Sequence, residues 1–291
     1  MGAKKRIKDG SMIQDIFPSR LNNAYKNAAP GSEDFLFVFD REGKILHSEK
    51  DGVMTLMTFA DACEKCGADS DALKTIYLFS VDAERFFLTF GTLDAPEGYT
   101  YHSVRDLRDM YTGKEVYAAF TAYHLWKWYE DNRFCGKCGA GLEVGEKERS
   151  LVCPGCGNTV YPRINPAVIV GVINGDRILI TKYRRGYGHS ALVAGFTEIG
   201  ETLEETVARE VMEETGVRVK NIRYYKSQPW GMAQDILVGF YCEADGECEI
   251  RMDEGELKFA EWVRREDIEL QPNNHSLTNE MMRRFKEGQP T

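Results

Sequence analysis

The sequence has no apolar run approaching the ~20 residues that a membrane-spanning helix needs; AVIVGVI, residues 167–173, is far shorter. The basic residues of the amino-terminal MGAKKRIKDGSMIQDIF do not lead into an apolar stretch of ~7 to 15 residues, so a secretory signal would lack its hydrophobic centre, and the cytoplasm is the expected compartment. Positive charge is not in excess either. Lys and Arg total 37 against 46 Asp and Glu, a net charge of −9, and the chain lacks the broad positive field on which non-specific nucleic-acid binding depends. Internal repeats and low-complexity tracts are missing as well. What is present is a globular composition, 43% hydrophobic and 11% aromatic, too apolar for a disordered chain. At roughly 150 residues per domain, 291 residues suggest about two folded units.

Four stretches differ in character. Residues 1–20 hold few large apolar side chains and read as a flexible tail. Residues 21–131 read as a mixed α/β domain, with strands at FLFVF (35–39), TIYLFS and ERFFLTF and helices at about 53–65 and 114–130. His124, in the second of these helices, has no charge partner at suitable spacing and reads as structural. Residues 132–162 are short, Gly-rich and cysteine-bearing, and residues 163–291 run from strands through a helix to strands again. In that last part AVIVGVI, Asn174-Gly175 and DRILITKY spell a β-hairpin, with Asn174-Gly175 supplying the two positive-φ residues of a type I′ turn.

Six of the eight cysteines fall in three C-x-x-C pairs, which suits metal binding in a reducing compartment better than a disulfide framework. Cys135-Gly-Lys-Cys138 and Cys153-Pro-Gly-Cys156 are each followed by a glycine that lets the backbone turn tightly. Two such knuckles predict a four-thiolate zinc ribbon. With all four positions filled by sulfur, no place is left for a reacting water, so the zinc is expected to be structural. Cys63 and Cys66 have no matching pair and read as ordinary helix cysteines. Acidic residues interleave with Arg133, Lys137, Lys147 and Arg149, so the ribbon shows no net basic face.

The most informative segment is GFTEIGETLEETVAREVMEETGV, residues 195–217. Thr202 and Glu205 make a T-x-x-E capping box that should open a helix, and Gly216 should close it. Leu203, Val207 and Val211 line one stripe, and Glu210, Glu213 and Glu214 cover an arc of roughly 100° on adjacent turns beside it. Carboxylates that close repel and raise one another's pKa unless a cation joins them, and hard oxygen ligands suit Mg²⁺ or Mn²⁺. A plainer arrangement is a solvated acidic helix in which Arg209 pairs with Glu205 or Glu213. A metal held there would polarise phosphoryl oxygens, offset charge on the leaving group and make water a nucleophile near neutral pH. That is the chemistry of phosphoanhydride hydrolysis.

The spacing of Gly195, Glu201, Arg209-Glu210, Glu213-Glu214 and Gly216 resembles the complete Nudix box. An N-terminal domain, a four-cysteine ribbon, the box and then Ser227-Gln228-Pro229-Trp230 together resemble the NADH pyrophosphatase (NAD⁺ diphosphatase) family, well over roughly 100–280 and weakly before. The resemblance implies an α/β (α+β) protein: a Nudix α/β/α sandwich preceded by the ribbon and the mixed α/β domain. It implies divalent ions held by Glu210, Glu213, Glu214, Glu256 and the Ala194 carbonyl, and a dinucleotide touched by Tyr161, Phe196, Gln228, Pro229 and Trp230. Flat rings on those aromatic faces gain ~1 to 3 kcal/mol per base. Arg184 and Arg185 are candidates to meet the pyrophosphate. The expected reaction splits NAD(H) into AMP and nicotinamide mononucleotide, in a homodimer. ADP-ribose, another nucleoside diphosphate derivative or an NAD cap on RNA are alternative substrates, and a non-catalytic nucleotide sensor is the alternative of another class. One departure bears on substrate choice: the family continues from SQPW into Pro-Phe-Pro-x-Ser, whereas this chain reads Gly231-Met232-Ala233-Gln234-Asp235.

Overall fold

The computed structural model describes residues 12–69, 73–184 and 188–290. They separate into two units: Asp15–Arg163 with Gly231–Gln234, and Ile164–Trp230 with residues 12–14 and those from Asp235 onward.

In the first unit, Leu21–Asn22 (β1), Phe35–Phe37 (β2), Ile45–Lys50 (β3), Val53–Thr55 (β4) and Met57–Thr58 (β5) precede the helix Phe59–Cys66 (α1). The helix expected over 53–65 starts only at Phe59. Val53–Thr58 is taken up in strand pairing, and Thr58 forms a capping box with Asp61 that begins the helix there. Thr75–Val81 (β6) and Glu84–Thr89 (β7) form a hairpin, followed by Thr100–His102 (β8), Val104–Met110 (α2) and Lys114–Asp131 (α3). One sheet runs β1-β6-β7-β2-β5 and another β4-β3-β8. His124 of α3 is structural, its Nε2 2.8 Å from the Arg163 carbonyl oxygen. Three short strands, Glu143–Val144 (β9), Leu151–Val152 (β10) and Thr159–Val160 (β11), complete the ribbon as an antiparallel sheet. Arg149 joins it to the rest of this unit by donating to the Asn23 side chain at 2.8 Å and to the Leu78 carbonyl.

The second unit is built on Asn165–Asn174 (β12), Arg177–Tyr183 (β13), Val193–Phe196 (β14), Leu203–Thr215 (α4), Val219–Trp230 (β15), Asp235–Ala244 (β16), Leu257–Arg264 (β17) and Leu277–Lys286 (α5). The sheet order is β15-β16-β12-β13-β17, with β14 also paired to β12, and the β12 to β16 pairing is parallel. Side chains alternate across β12 as a two-residue period requires. Val168, Val170 and Val172 join Val207 and Val211 of α4 in one core, while Ile169 faces Leu277, Met281, Met282 and Phe285 of α5 in another. A helix covers each face of the sheet, which is the expected α/β/α sandwich.

The caps of α4 fall where the residues place them. Thr202 and Glu205 bond reciprocally, and Gly216, at φ 70°, closes the helix by donating to the Met212 carbonyl. The hairpin is formed too, but its turn lies one residue on. Asn174 pairs with Arg177, so Gly175-Asp176 make the loop, and only Gly175 has positive φ. That is a type II′ turn instead of type I′. The tail reading of residues 1–20 also needs correcting. Residues 1–11 lie outside the described residues, but Met12 and Ile13 are buried, Met12 within the α5-side core, because they have that apolar face to cover.

Candidate active site

The three α4 carboxylates have different partners. Arg209 Nη1 donates to Glu210 at 2.7 Å and to Glu213 at 2.9 Å, while its Nε and Nη2 hold Glu201 at 2.6 and 2.9 Å. Nη2 also donates to the Phe196 carbonyl at 2.9 Å, which fastens the helix to β14. Glu205 takes no part, because its carboxylate is committed to the cap. Glu201 also accepts the Glu198 N–H and the Thr206 hydroxyl, and the Arg209 hydrogen bond above all holds its carboxyl down at about 2. Arg209 thus neutralises one edge of the cluster and sets the direction of Glu210.

Gly195 explains why Glu210 lies close to β14. A Cβ built on Gly195 would overlap the Glu210 carboxylate, well inside the 3.0 Å that real Cβ atoms keep. The glycine is therefore a space requirement of the carboxylate. Burial raises the Glu210 pKa against the pull of Arg209.

Glu214 extends the buried stripe by one more turn from Val207 and Val211 and is 2% exposed. Among the described residues it has no basic partner. Its carboxylate accepts the Tyr183 hydroxyl at 3.0 and 3.3 Å. Burial, followed by the charges of Glu210 and Glu256, pushes its pKa up to about 8, with the Tyr183 hydroxyl acting in the opposite direction. Glu256 comes from a distant loop tied to the end of α4: Arg251 N–H bonds the Thr215 carbonyl at 2.8 Å and Asp253 N–H the Glu214 carbonyl at 2.9 Å. Ala194 sits beside them on β14, its N–H donating to the Tyr183 oxygen at 3.0 Å. Among the described residues the carboxylate oxygens form no set as tightly convergent as the ribbon thiols. An open group of hard oxygen donors with one guanidinium among its acids fits a divalent cation that keeps part of its water shell. Tyr183 had no sequence signal: it is one apolar-looking residue at the end of a strand.

Of the residues assigned to the dinucleotide, Phe196 is 54% exposed on β14, Pro229 is exposed and Trp230 half-buried at the end of β15. Gln228 does not fit that role. It is fully buried, and its carboxamide is spent on the His275 carbonyl at 2.8 Å, the Gln14 side chain at 2.9 Å and the Leu277 N–H at 2.7 Å. Strand alternation turns it inward, opposite to Pro229. Tyr161 belongs to the other unit, exposed, with its hydroxyl on Glu148 at 2.9 Å. Arg184 donates through Nε to the Leu257 carbonyl at 3.1 Å, and Arg185 lies outside the described residues. Gly231–Gln234 group with the first unit, where a Cβ on Gly231 would overlap the Phe120 carbonyl of α3 and Gln234 accepts from Arg163 at 2.6 Å. Proline has no room at that position. Asp235 is buried at the head of β16 with Asn165 Nδ2 at 3.4 Å.

The ribbon cysteines converge. Their four Sγ atoms lie within 4.8 Å of one another, with Cys135 3.7 Å from Cys156 and Cys138 3.4 Å from Cys153. Tetrahedral zinc with Zn–S of about 2.3 Å requires S to S separations of about 3.8 Å, so the set fits zinc with little adjustment. Backbone N–H groups of Lys137 and Cys138 draw the Cys135 thiol down toward its thiolate form. Cys63 and Cys66 remain helix cysteines of α1, Cys66 with its Sγ 3.9 Å from Met57 Sδ.

Residues 163–285 match the model of the NUDIX domain, and residues 130–161 that of the NADH pyrophosphatase zinc ribbon domain. The chain thus carries a Nudix domain preceded by a zinc ribbon domain of that type. It is 43% identical over 150 residues to a protein of Klebsiella pneumoniae subsp. pneumoniae named NAD-capped RNA hydrolase NudC, covering 51% of this chain and 58% of the relative. It is 40% identical over 171 residues to a protein of the same name from an Enterobacter species, covering 58% and 66%. The chain thus spans 58% and 66% of the length of these two curated relatives, less than two thirds of either. A crystal structure of a Nudix hydrolase from Nitrosomonas europaea aligns with 55% of this chain and 95% of its own at 23% identity and a TM-score of 0.47. No helix among the described residues is long and apolar enough to cross a membrane.

Proposed function

We propose that this chain hydrolyses the pyrophosphate of NAD(H) to AMP and nicotinamide mononucleotide, with Mg²⁺ or Mn²⁺ held by Glu210, Glu213, Glu214, Glu256 and the Ala194 carbonyl. The observation that carries the reading is the placement of Glu210 and Glu214 against β14, one clamped by Arg209 over Gly195 and the other buried with no basic partner among the described residues. A divalent cation there supplies Lewis acidity toward phosphoryl oxygens and offsets leaving-group charge. The chain's part is orientation. Arg209 bridges Glu210 and the exposed Glu213 and so fixes the direction of both, and the cap of α4 sets the pitch at which they leave the helix. Phe196 and Trp230 offer flat faces to nicotinamide and adenine; Gln228 supports the strand from within.

NAD-capped RNA is the second substrate reading, favoured by the names of the relatives and by the identity of the bond to be cut. The structural zinc, a homodimer and a reducing, cytoplasmic setting accompany the proposal. Four thiols converging on one point support the first and last of these.

The test is incubation with NADH, ADP-ribose and NAD-capped RNA under Mg²⁺ or Mn²⁺, products being resolved by chromatography. Release of AMP from NADH is expected, and Glu210→Gln and Glu214→Gln should each lower kcat by several orders of magnitude with the fold intact. Untouched NADH beside consumed ADP-ribose would overturn the substrate assignment. No hydrolysis of any pyrophosphate would leave the sensor.

A further inference from the structure

We propose that Tyr183 is a positioning residue of the cation site, its single oxygen fixing both the Glu214 carboxylate and the Ala194 peptide; this rests on the cation reading given above. The phenol has one proton and it goes to Glu214, 3.0 Å from Oε1, while the same oxygen accepts the Ala194 N–H at 3.0 Å. The Ala194 carbonyl oxygen is 3.3 Å away, but the one proton is already directed to the carboxylate. One donor and one acceptor contact thus leave that carbonyl and the second Glu214 oxygen with lone pairs for a cation.

The backbone shows why Tyr183 can do this. The β13 to β17 pairing slips at Lys182 and Tyr183, and a bulge of this kind re-aims the side chain that follows it. Ala194 is paired with Ile169 on β12, yet its N–H goes to the phenol and not to that strand. Without the hydroxyl the amide would have only the Glu214 carboxylate to turn to, and the Glu214 side chain would lose its fixed rotation. Partners that orient ligands in this way set metal affinity.

The experiment uses the full chain with its zinc retained and follows free Mn²⁺ by electron paramagnetic resonance. Tyr183→Phe is expected to raise the Mn²⁺ dissociation constant by about 10- to 100-fold, and to shift the Mn²⁺ requirement of hydrolysis to higher concentration more than it lowers kcat at saturating Mn²⁺. A merely structural role would lower the melting point in chelator and leave both Mn²⁺ curves in place. Glu214→Gln is run alongside. If it loses Mn²⁺ while folded Tyr183→Phe binds within about twofold of wild type, the positioning role is wrong and the cation reading stands. If Glu214→Gln also binds as wild type does, both fall. Should Tyr183→Phe not fold, Tyr183→His carries the comparison: weaker Mn²⁺ binding is expected, and equal binding overturns the proposal.

Discussion

Gly195→Ala adds one methyl group to the site. Gly195 does not have the left-handed φ that would penalise alanine, so the backbone can accept it. The obstacle is Glu210, whose carboxylate occupies the place of the new Cβ and must withdraw by about 1 Å or more to restore ordinary contact. Arg209 holds that carboxylate at 2.7 Å, so the withdrawal also disturbs the bonds to Glu213 and Glu201. A misplacement of ~1 Å at a reacting centre costs about 10²-fold in rate, equivalent to about 2.7 kcal/mol of barrier. The assay is steady-state cleavage of NADH at saturating Mn²⁺, with thermal melts showing that the fold is kept. Glu210→Asp, which shortens the side chain and vacates the space, should be slow by itself, and adding Gly195→Ala to it should slow it little further, since both act through one contact. A Gly195→Ala enzyme with kcat within about threefold of wild type, or a double variant slowed by the full product of the two, would refute the reasoning.

The other expectations concern stability. Glu201 has its carboxyl held at about 2, below its ordinary 4.5, so its contribution is complete above the ordinary value and disappears as pH falls through about 2; urea midpoints of wild type should drop more steeply over that window than those of Glu201→Gln, and parallel profiles would contradict the Arg209 pairing. Cys153→Ser, or a strong chelator, should lower the melting temperature of the zinc-loaded chain with release of metal, because zinc binding contributes folding free energy; superimposable melts would show the ribbon holds without it. Gly231→Ala pushes a methyl into the Phe120 carbonyl, a backbone atom that cannot swing away, and overpacking of this sort costs about 1–3 kcal/mol; a urea titration showing less than about 0.5 kcal/mol would mean that the turn simply lifts off.

Much of this protein was legible from short stretches of chain. The start and end of α4, the buried stripe with acids beside it, and the pairing of two C-x-x-C knuckles all rest on contacts within one or two turns, where side-chain chemistry and spacing suffice. Tertiary structure decided what depends on distant partners. The inward turn of Gln228 is set by His275 and Leu277, some fifty positions on; the second loop end at Glu256 is tied to α4 through backbone bonds that leave no trace in side-chain pattern. Met12 has a role only because an apolar face of α5 is there to be covered, and Gly231 is required only because α3 lies against it. Local periodicity and caps act through neighbours in sequence, whereas the hydroxyl that donates to Glu214, that of Tyr183, arrives from a strand whose register only the assembled sheet determines.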